Sequence, residues 1–150
     1  MNNIQIRNYQ SGDFQQLCAI FIRAVTMTAS QHYSPQQITA WVQIDESRWK
    51  EKLAQSQVRV AVINAQPVGF ITCIEHYIDM LFVDPEYTRR GVACALLKPL
   101  ITSESELTVD ASITAKPFFE RYGFQVVKQQ RVECRGEWFT NFYMRYKQQH

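Results

Sequence analysis

Glycine, proline and cysteine are all scarce in this 150-residue chain, at five, five and four residues. With so few glycines there is no GxxxxGK[ST] loop and no GxGxxG loop, so the two common nucleotide-phosphate loops are excluded. Cys18, Cys73, Cys94 and Cys134 are scattered, with no CxxC and no His at metal-ligand spacing. That pattern reads as reduced, mostly buried thiols in a cytoplasmic protein, with neither a metal site nor a disulfide framework. No apolar run approaches the roughly 18 residues of a membrane span. The opening "MNNIQIRNYQSGDFQQ" holds no apolar segment of the secretion type. Charge is also short: the net value of +2 predicts no nucleic-acid or membrane partner. No repeat, low-complexity tract or linker interrupts residues 1–150, which read as one domain.

What is present is a folded-protein composition, 46% hydrophobic and 20% charged, with enough length for a real core. "IQIRNY" alternates as a strand. Helical spacing follows in "SGDFQQLCAIFIRAV", with Ser11 or Asp13 as its cap. "YSPQQITAWV" carries Ser34, Pro35 and Gln37 in the order of an N-cap, a first-turn proline and a capping box. "DESRWKEKLAQ" is a third helical piece. "VRVAVI", "VGFITCIEHYI" and "YIDMLFV" then read as strands. Residues 92 to 101 are helical, with Pro99 expected to kink or end them. "ELTVD" is a strand. "TAKPFFERYG" is a short helix capped by Thr114 and stopped by a left-handed Gly123. Two final strands complete an α/β (α+β) order, a mixed sheet with helices packed on it.

"EYTRRGVACALL" raises the first chemical question. A strand ends at Val83 and a helix is expected to start near Arg90. A helix start presents unpaired N–H groups and partial positive charge. Gly91 lets a ligand approach the backbone, and Arg89 and Arg90 add charge, so the stretch suits a pyrophosphate. An ordinary solvated arginine pair before a helix fits the same residues.

"VDPEYTRRGVACALL" resembles the acetyl-CoA-binding motif of the GNAT superfamily of N-acetyltransferases, in which Q/R-x-x-G-x-G/A opens a helix. Gly91 and Ala93 match; Thr88 stands where Gln or Arg is usual. "SITAKPFFERYGF" resembles the family's N-x-x-A-x-x-L-Y-E-x-x-G-F segment through Ala115, Glu120, Gly123 and Phe124, with Ser112 in place of Asn. "PVGFITCI" is similar to the strand ahead of the motif. The resemblance implies a mostly antiparallel, splayed sheet flanked by helices on both faces. It implies acetyl-CoA as co-substrate, no metal, and an amine acceptor. It implies cofactor contacts from Leu81, Phe82 and Val83 on the strand and from Arg89, Arg90, Gly91, Val92, Ala93 and Cys94 at the helix start. Ser112, Phe118, Phe119 and Tyr122 follow from the second segment.

Acetyl transfer needs a deprotonated amine, a stabilised oxyanion and reprotonation of the CoA thiolate. The family's acid is the Tyr of L-Y-E, and that position here is Phe119, which donates nothing. Tyr122, one helical turn on, either takes over that role or packs as a core aromatic. Glu75, His76 and Asp79 are the candidates near the amine, with Glu75 or Asp79 as base. The resemblance implies that His32, Tyr33 and Trp41 lie on the acceptor side with His76, although Trp41 also suits a core and His32 a loop. Two other readings remain at this level. One is an acyl-CoA-binding module without turnover, which Phe119 favours. The other is nucleic-acid binding through Arg89, Arg90, Arg131 and Arg135, which the interleaved acidic residues oppose. A monomer and a homodimer are equally compatible with the sequence.

Overall fold

A computed structural model describes residues 3–148. Seven strands form one sheet in the order β1-β2-β3-β4-β5-β7-β6. They are β1 (Gln5–Asn8), β2 (Gln57–Ile63), β3 (Gln66–Ile74), β4 (Tyr77–Val83), β5 (Glu106–Ser112), β6 (Gln125–Cys134) and β7 (Glu137–Lys147). The helices are α1 (Phe14–Met27), α2 (Pro35–Trp41), α3 (Glu46–Gln55), α4 (Val92–Ser103) and α5 (Lys116–Arg121). Every strand pair is antiparallel except β4–β5. The mixed, mostly antiparallel sheet with helices on both faces is therefore present as expected.

The period of β2 explains the two layers. Val58, Val60 and Val62 pack with α1, α2 and α3 in one core, around Leu17, Phe21, Val25 and Phe70. Ala61 and Ile63, pointing the other way, join Leu96, Leu97, Ile78, Leu107 and Met144 under α4 and α5. A sheet buried on both faces needs near-continuous apolar strands, and β3 is one.

β4 and β5 pair at only two positions, Tyr77 with Thr108 and Ile78 with Val109. β4 stays paired to β3 as far as Val83, while β5 stays paired to β7 as far as Ser112. The sheet thus splits after Ile78 into two halves, and the gap between them becomes the site.

Several local expectations need correction. α4 starts at Val92, where the helical pattern begins and two residues past the start expected near Arg90, with Gly91 as its cap at φ +82°. Pro99 neither ends nor shortens α4, which runs to Ser103. Leu96, Leu97 and Leu100 bury the helix and outweigh one missing backbone bond. Thr114 does not cap α5: the cap residue is Ala115, whose N–H donates to Ser112 Oγ at 3.0 Å. Asp13 leads into α1 without capping it by its side chain. It receives Arg7 Nη1 and Nη2 at 2.8 and 2.9 Å and the Gln10 N–H at 2.8 Å. The Ser34–Gln37 capping box and the first-turn Pro35 stand as read.

The Arg7 bonds hold the buried Asp13 carboxyl below its ordinary range. A depressed folded pKa means that the unfolded chain takes the proton first as pH falls. The stabilisation is therefore present above about pH 4 and lost as pH falls through the folded value. Asp13→Asn should lower stability by about 1–2 kcal/mol at pH 7, near the low end because Arg7 is partly exposed. Urea melts of both proteins check this: the gap should close in acid and stay constant from pH 6 to 8.

Gly69 sits where α4 crosses β3. A Cβ there would lie 3.0 Å from Val92 Cγ1, 3.1 Å from the Phe82 carbonyl oxygen and 3.4 Å from Leu96 Cδ1. The side chains can give way, but the carbonyl belongs to a paired strand. Gly69→Ala should destabilise by about 1–3 kcal/mol through overpacking. It should also lift the first turn of α4. Thermal melts, with coenzyme A affinity measured beside them, should both respond.

Candidate active site

The gap between β4 and β5 opens into two cavities. One, of about 380 Å³, is walled by Leu81, Phe82 and Val83 of β4 and by Gly91, Val92, Ala93 and Cys94 at the head of α4. Ser112, Phe118, Phe119 and Tyr122 close its other side. The second, of about 490 Å³, lies between α1–α3 and the two halves of the sheet. Phe21, Tyr33, Trp41, Trp49 and Phe139 give it an aromatic wall, and Asp79, Asp110, Lys52 and Arg135 give it charge. The cavities share Trp41, Leu81, Phe82, Ser112, Ala115 and Phe119, so they meet inside the gap.

The head of α4 supplies donors to the first cavity. The first intrahelical bond runs from the Ala95 N–H to the Gly91 carbonyl at 2.9 Å. The N–H groups of Val92, Ala93 and Cys94 therefore have no partner within the helix. Gly91 and Arg89 take left-handed backbone, at φ +82° and +64°, so the loop turns sharply into the helix. Arg89 lines the cavity, whereas Arg90 lies behind the wall, its guanidinium 5.1 Å from the ring of the lining residue Tyr87. The motif's second arginine thus lies outside the cavity wall. An anion at this helix start would meet N–H groups, the positive end of the helix and one guanidinium.

Phe119 is 2% exposed and packs edge-on against Phe118 and Phe124. The position of the usual tyrosine is therefore core, apart from its contact with the cavity. Tyr122 caps the C-terminal end of α5 and faces the first cavity with Cys94. The neighbouring Cys94 thiol pushes the Tyr122 hydroxyl up from its ordinary pKa, so it stays protonated. Tyr122 and Cys94 are thus neighbours on the wall of this cavity.

On the acceptor side the expectations divide. Trp41 lines both cavities and meets Tyr33 and Phe139 edge-on, at 5.5 and 5.9 Å. Tyr33 reaches the second cavity with its ring only. The residue is 7% exposed, and its hydroxyl donates to the Thr140 carbonyl at 2.8 Å and accepts from the Ile113 N–H at 2.9 Å. Burial pushes that hydroxyl up, and its one proton is committed to the Thr140 carbonyl on β7. His32 lines neither cavity; its Nδ1 is 2.9 Å from Thr114 Oγ1 on the surface. Glu75 and His76 also stay outside. β3 stops at Ile74, and Glu75 turns the chain at φ +55°. His76 Nδ1 faces Glu104 at 3.3 Å. Asp79 reaches the second cavity, with its Oδ2 3.1 Å from Lys52 Nζ. That approach lacks the angle of a directed hydrogen bond, so the contact is an ion pair.

Sequence reasoning missed Thr88 and Arg121 at the first cavity, and Trp49, Lys52, Asp110, Phe139 and Asn141 at the second. Only Thr88 and Arg121 had a signal, since both sit inside the quoted motifs. Among the described residues no group of His, Cys, Asp and Glu is placed to hold a metal, and no helix is long and apolar enough to cross a membrane. The four thiols are free; burial pushes that of Cys73 up to about 11.

Comparison with known proteins agrees with this geometry. A family model described as "Acetyltransferase (GNAT) domain" matches residues 29–146. The chain is 91% identical to the N-acetyltransferase YafP of Escherichia coli K12, over all of both chains. It is 28% identical to the peptidyl-lysine N-acetyltransferase YjaB of the same strain, over 89% of this chain and 90% of that one. The crystal structure of a GCN5-related N-acetyltransferase from Rhodopseudomonas palustris superposes with a TM-score of 0.93. Its identity is 30%, with 99% of this chain and 98% of that one covered.

Proposed function

The chain belongs to the GNAT acetyltransferase family and is an N-acetyltransferase; from that premise we propose that it takes acetyl from acetyl-CoA and passes it to a primary amine of a small molecule or peptide, by direct attack in a ternary complex. One observation carries this reading: the β4–β5 gap joins two cavities with different walls. The first has helix-start amides and an arginine for a pyrophosphate. Its β4 wall has a backbone edge that β5 leaves unpaired beyond Ile78, as an extended pantetheine arm requires. The second has aromatic rings and carboxylates for an amine. The thioester would lie where they meet.

The proposed cofactor contacts are Leu81, Phe82, Val83, Arg89, Gly91, Val92, Ala93, Cys94, Ser112, Phe118, Phe119 and Tyr122. Arg90 acts through charge alone. Tyr122 protonates the departing thiolate. A carboxylate of the second cavity takes the amine's proton, and Asp79 is the sequence candidate that reaches it. Trp41 forms part of the acceptor wall. A thiol-release assay over a panel of alkylamines, arylamines and lysine peptides tests the whole reading. Release that needs both acetyl-CoA and an amine is expected. Binding of acetyl-CoA with no release across the panel would leave a binding module instead.

A further inference from the structure

We infer that Asp110, on β5, is the carboxylate that takes the proton from the acceptor's ammonium, with Tyr77 and Gln130 as the residues that hold it in position. The inference rests on the acetyl-transfer reading of the same cavity.

Asp110 lies on β5 one residue beyond Val109, the last position paired with β4. Tyr77 Oη donates to its Oδ2 at 2.9 Å, from the stretch of β4 still paired with β5. Gln130 Nε2 donates to its Oδ1 at 2.7 Å, reaching over β7 from β6. Three strands therefore fix one carboxylate in the wall of the acceptor cavity. The residue remains exposed there, so its unused lone pairs face substrate or one bridging water.

The partners decide between the two carboxylates of the cavity. Asp79 is paired with the Lys52 ammonium. Protonating it would give up that ion pair, a modest cost because the Lys52 side chain is 48% exposed. Both donors to Asp110 are neutral, so protonating it breaks no ion pair. Burial, followed by the charge of Asp110, pushes the Tyr77 hydroxyl far up, so Tyr77 remains a donor at every working pH. The other groups around Asp110 are Asp79 on β4, Lys52 on α3, Arg135 in the β6–β7 turn, its register partner Tyr143 on β7, and Lys128 opposite Tyr143 on β6.

The proton account closes. The ammonium gives one proton to Asp110, directly or through water, and the free amine attacks the acetyl carbonyl carbon. The C–N bond forms and the C–S bond breaks. The thiolate takes a proton from Tyr122, which regains it from the new amide nitrogen. The proton on Asp110 then leaves to solvent.

A base is needed only when the acceptor arrives protonated. An alkylamine, with pKa near 10.4, is almost wholly ammonium at pH 7. A weakly basic arylamine is already neutral. Asp110→Asn should therefore lower kcat/KM for alkylamines by about 100-fold. For arylamines it should change kcat/KM by less than about threefold. Raising the pH should restore alkylamine turnover in the variant by about tenfold per unit, as free amine replaces ammonium. Tyr77→Phe should show the same alkylamine bias at smaller size. Asp79→Asn should lower both classes alike. Equal loss for both classes in Asp110→Asn would overturn the inference and assign Asp110 a structural role. Unchanged alkylamine turnover in that variant would overturn it as well. Absence of turnover with every amine in the unaltered protein would overturn the acetyl-transfer reading beneath it.

Discussion

Gly91→Glu should raise the dissociation constant for coenzyme A by about a thousandfold while leaving the fold in place. Two effects add. The left-handed backbone at φ +82° costs a residue with a Cβ about 1–2 kcal/mol, so in the variant the free loop relaxes away from it and binding must restore it. The new carboxylate stands at the helix start proposed to hold a pyrophosphate. Two unit charges about 5 Å apart, at an effective dielectric of about 20, repel by about 3 kcal/mol. The sum exceeds 4 kcal/mol, which is about a thousandfold in affinity. Sterics are not the cause, because a Cβ on Gly91 meets nothing within 4 Å. Gly91→Ala is the matching control: it carries the backbone strain without the charge and should weaken binding by about tenfold. Calorimetric titration of both variants with coenzyme A gives the comparison. Equal, small effects would mean that no anion sits at the head of α4.

Tyr122→Phe should lower kcat by about 100-fold or more and leave the affinity for acetyl-CoA within about threefold. The two side chains fill nearly the same volume, and Tyr122 sits at the end of α5, so folding should survive. What is lost is the hydroxyl that faces the first cavity beside Cys94. Because its pKa is raised above the ordinary phenol value, the unaltered enzyme should keep its donor through the neutral and mildly alkaline range. The core position of Phe119 makes the test sharp, since no second hydroxyl is present at the family's usual site. A normal kcat for Tyr122→Phe would return the protonation step to solvent or to Cys94.

The parts of the fold that depend on neighbours in sequence were legible. Ser34, Pro35 and Gln37 announce the start of α2 because capping is satisfied within four residues. Alternating valines set β2 between two cores for the same local reason. The split of the sheet was not legible from pattern alone; it entered through the family resemblance, because strand pairing is decided between distant segments. Glu75 and His76 looked like strand residues, yet they form the turn from β3 to β4 without any of the usual turn residues. Tyr33 is expected on the acceptor side because the resemblance places the segment around the first helices against the substrate pocket. Its two hydrogen-bond partners lie about 80 and 107 positions away, where no local pattern reports them. Asp110 was passed over as the end of an ordinary strand. Its place beside Tyr77 and Gln130 exists only once three strands are assembled in register.

Amide-resolved titration with coenzyme A tests the central claim most directly. The account predicts saturable shifts concentrated at residues 89–94 and along 79–83 of β4. It predicts smaller ones at Ser112 and Tyr122, and little change on β1 or at the β6–β7 turn. Saturable binding with shifts elsewhere, leaving the head of α4 and the unpaired edge of β4 undisturbed, would contradict it.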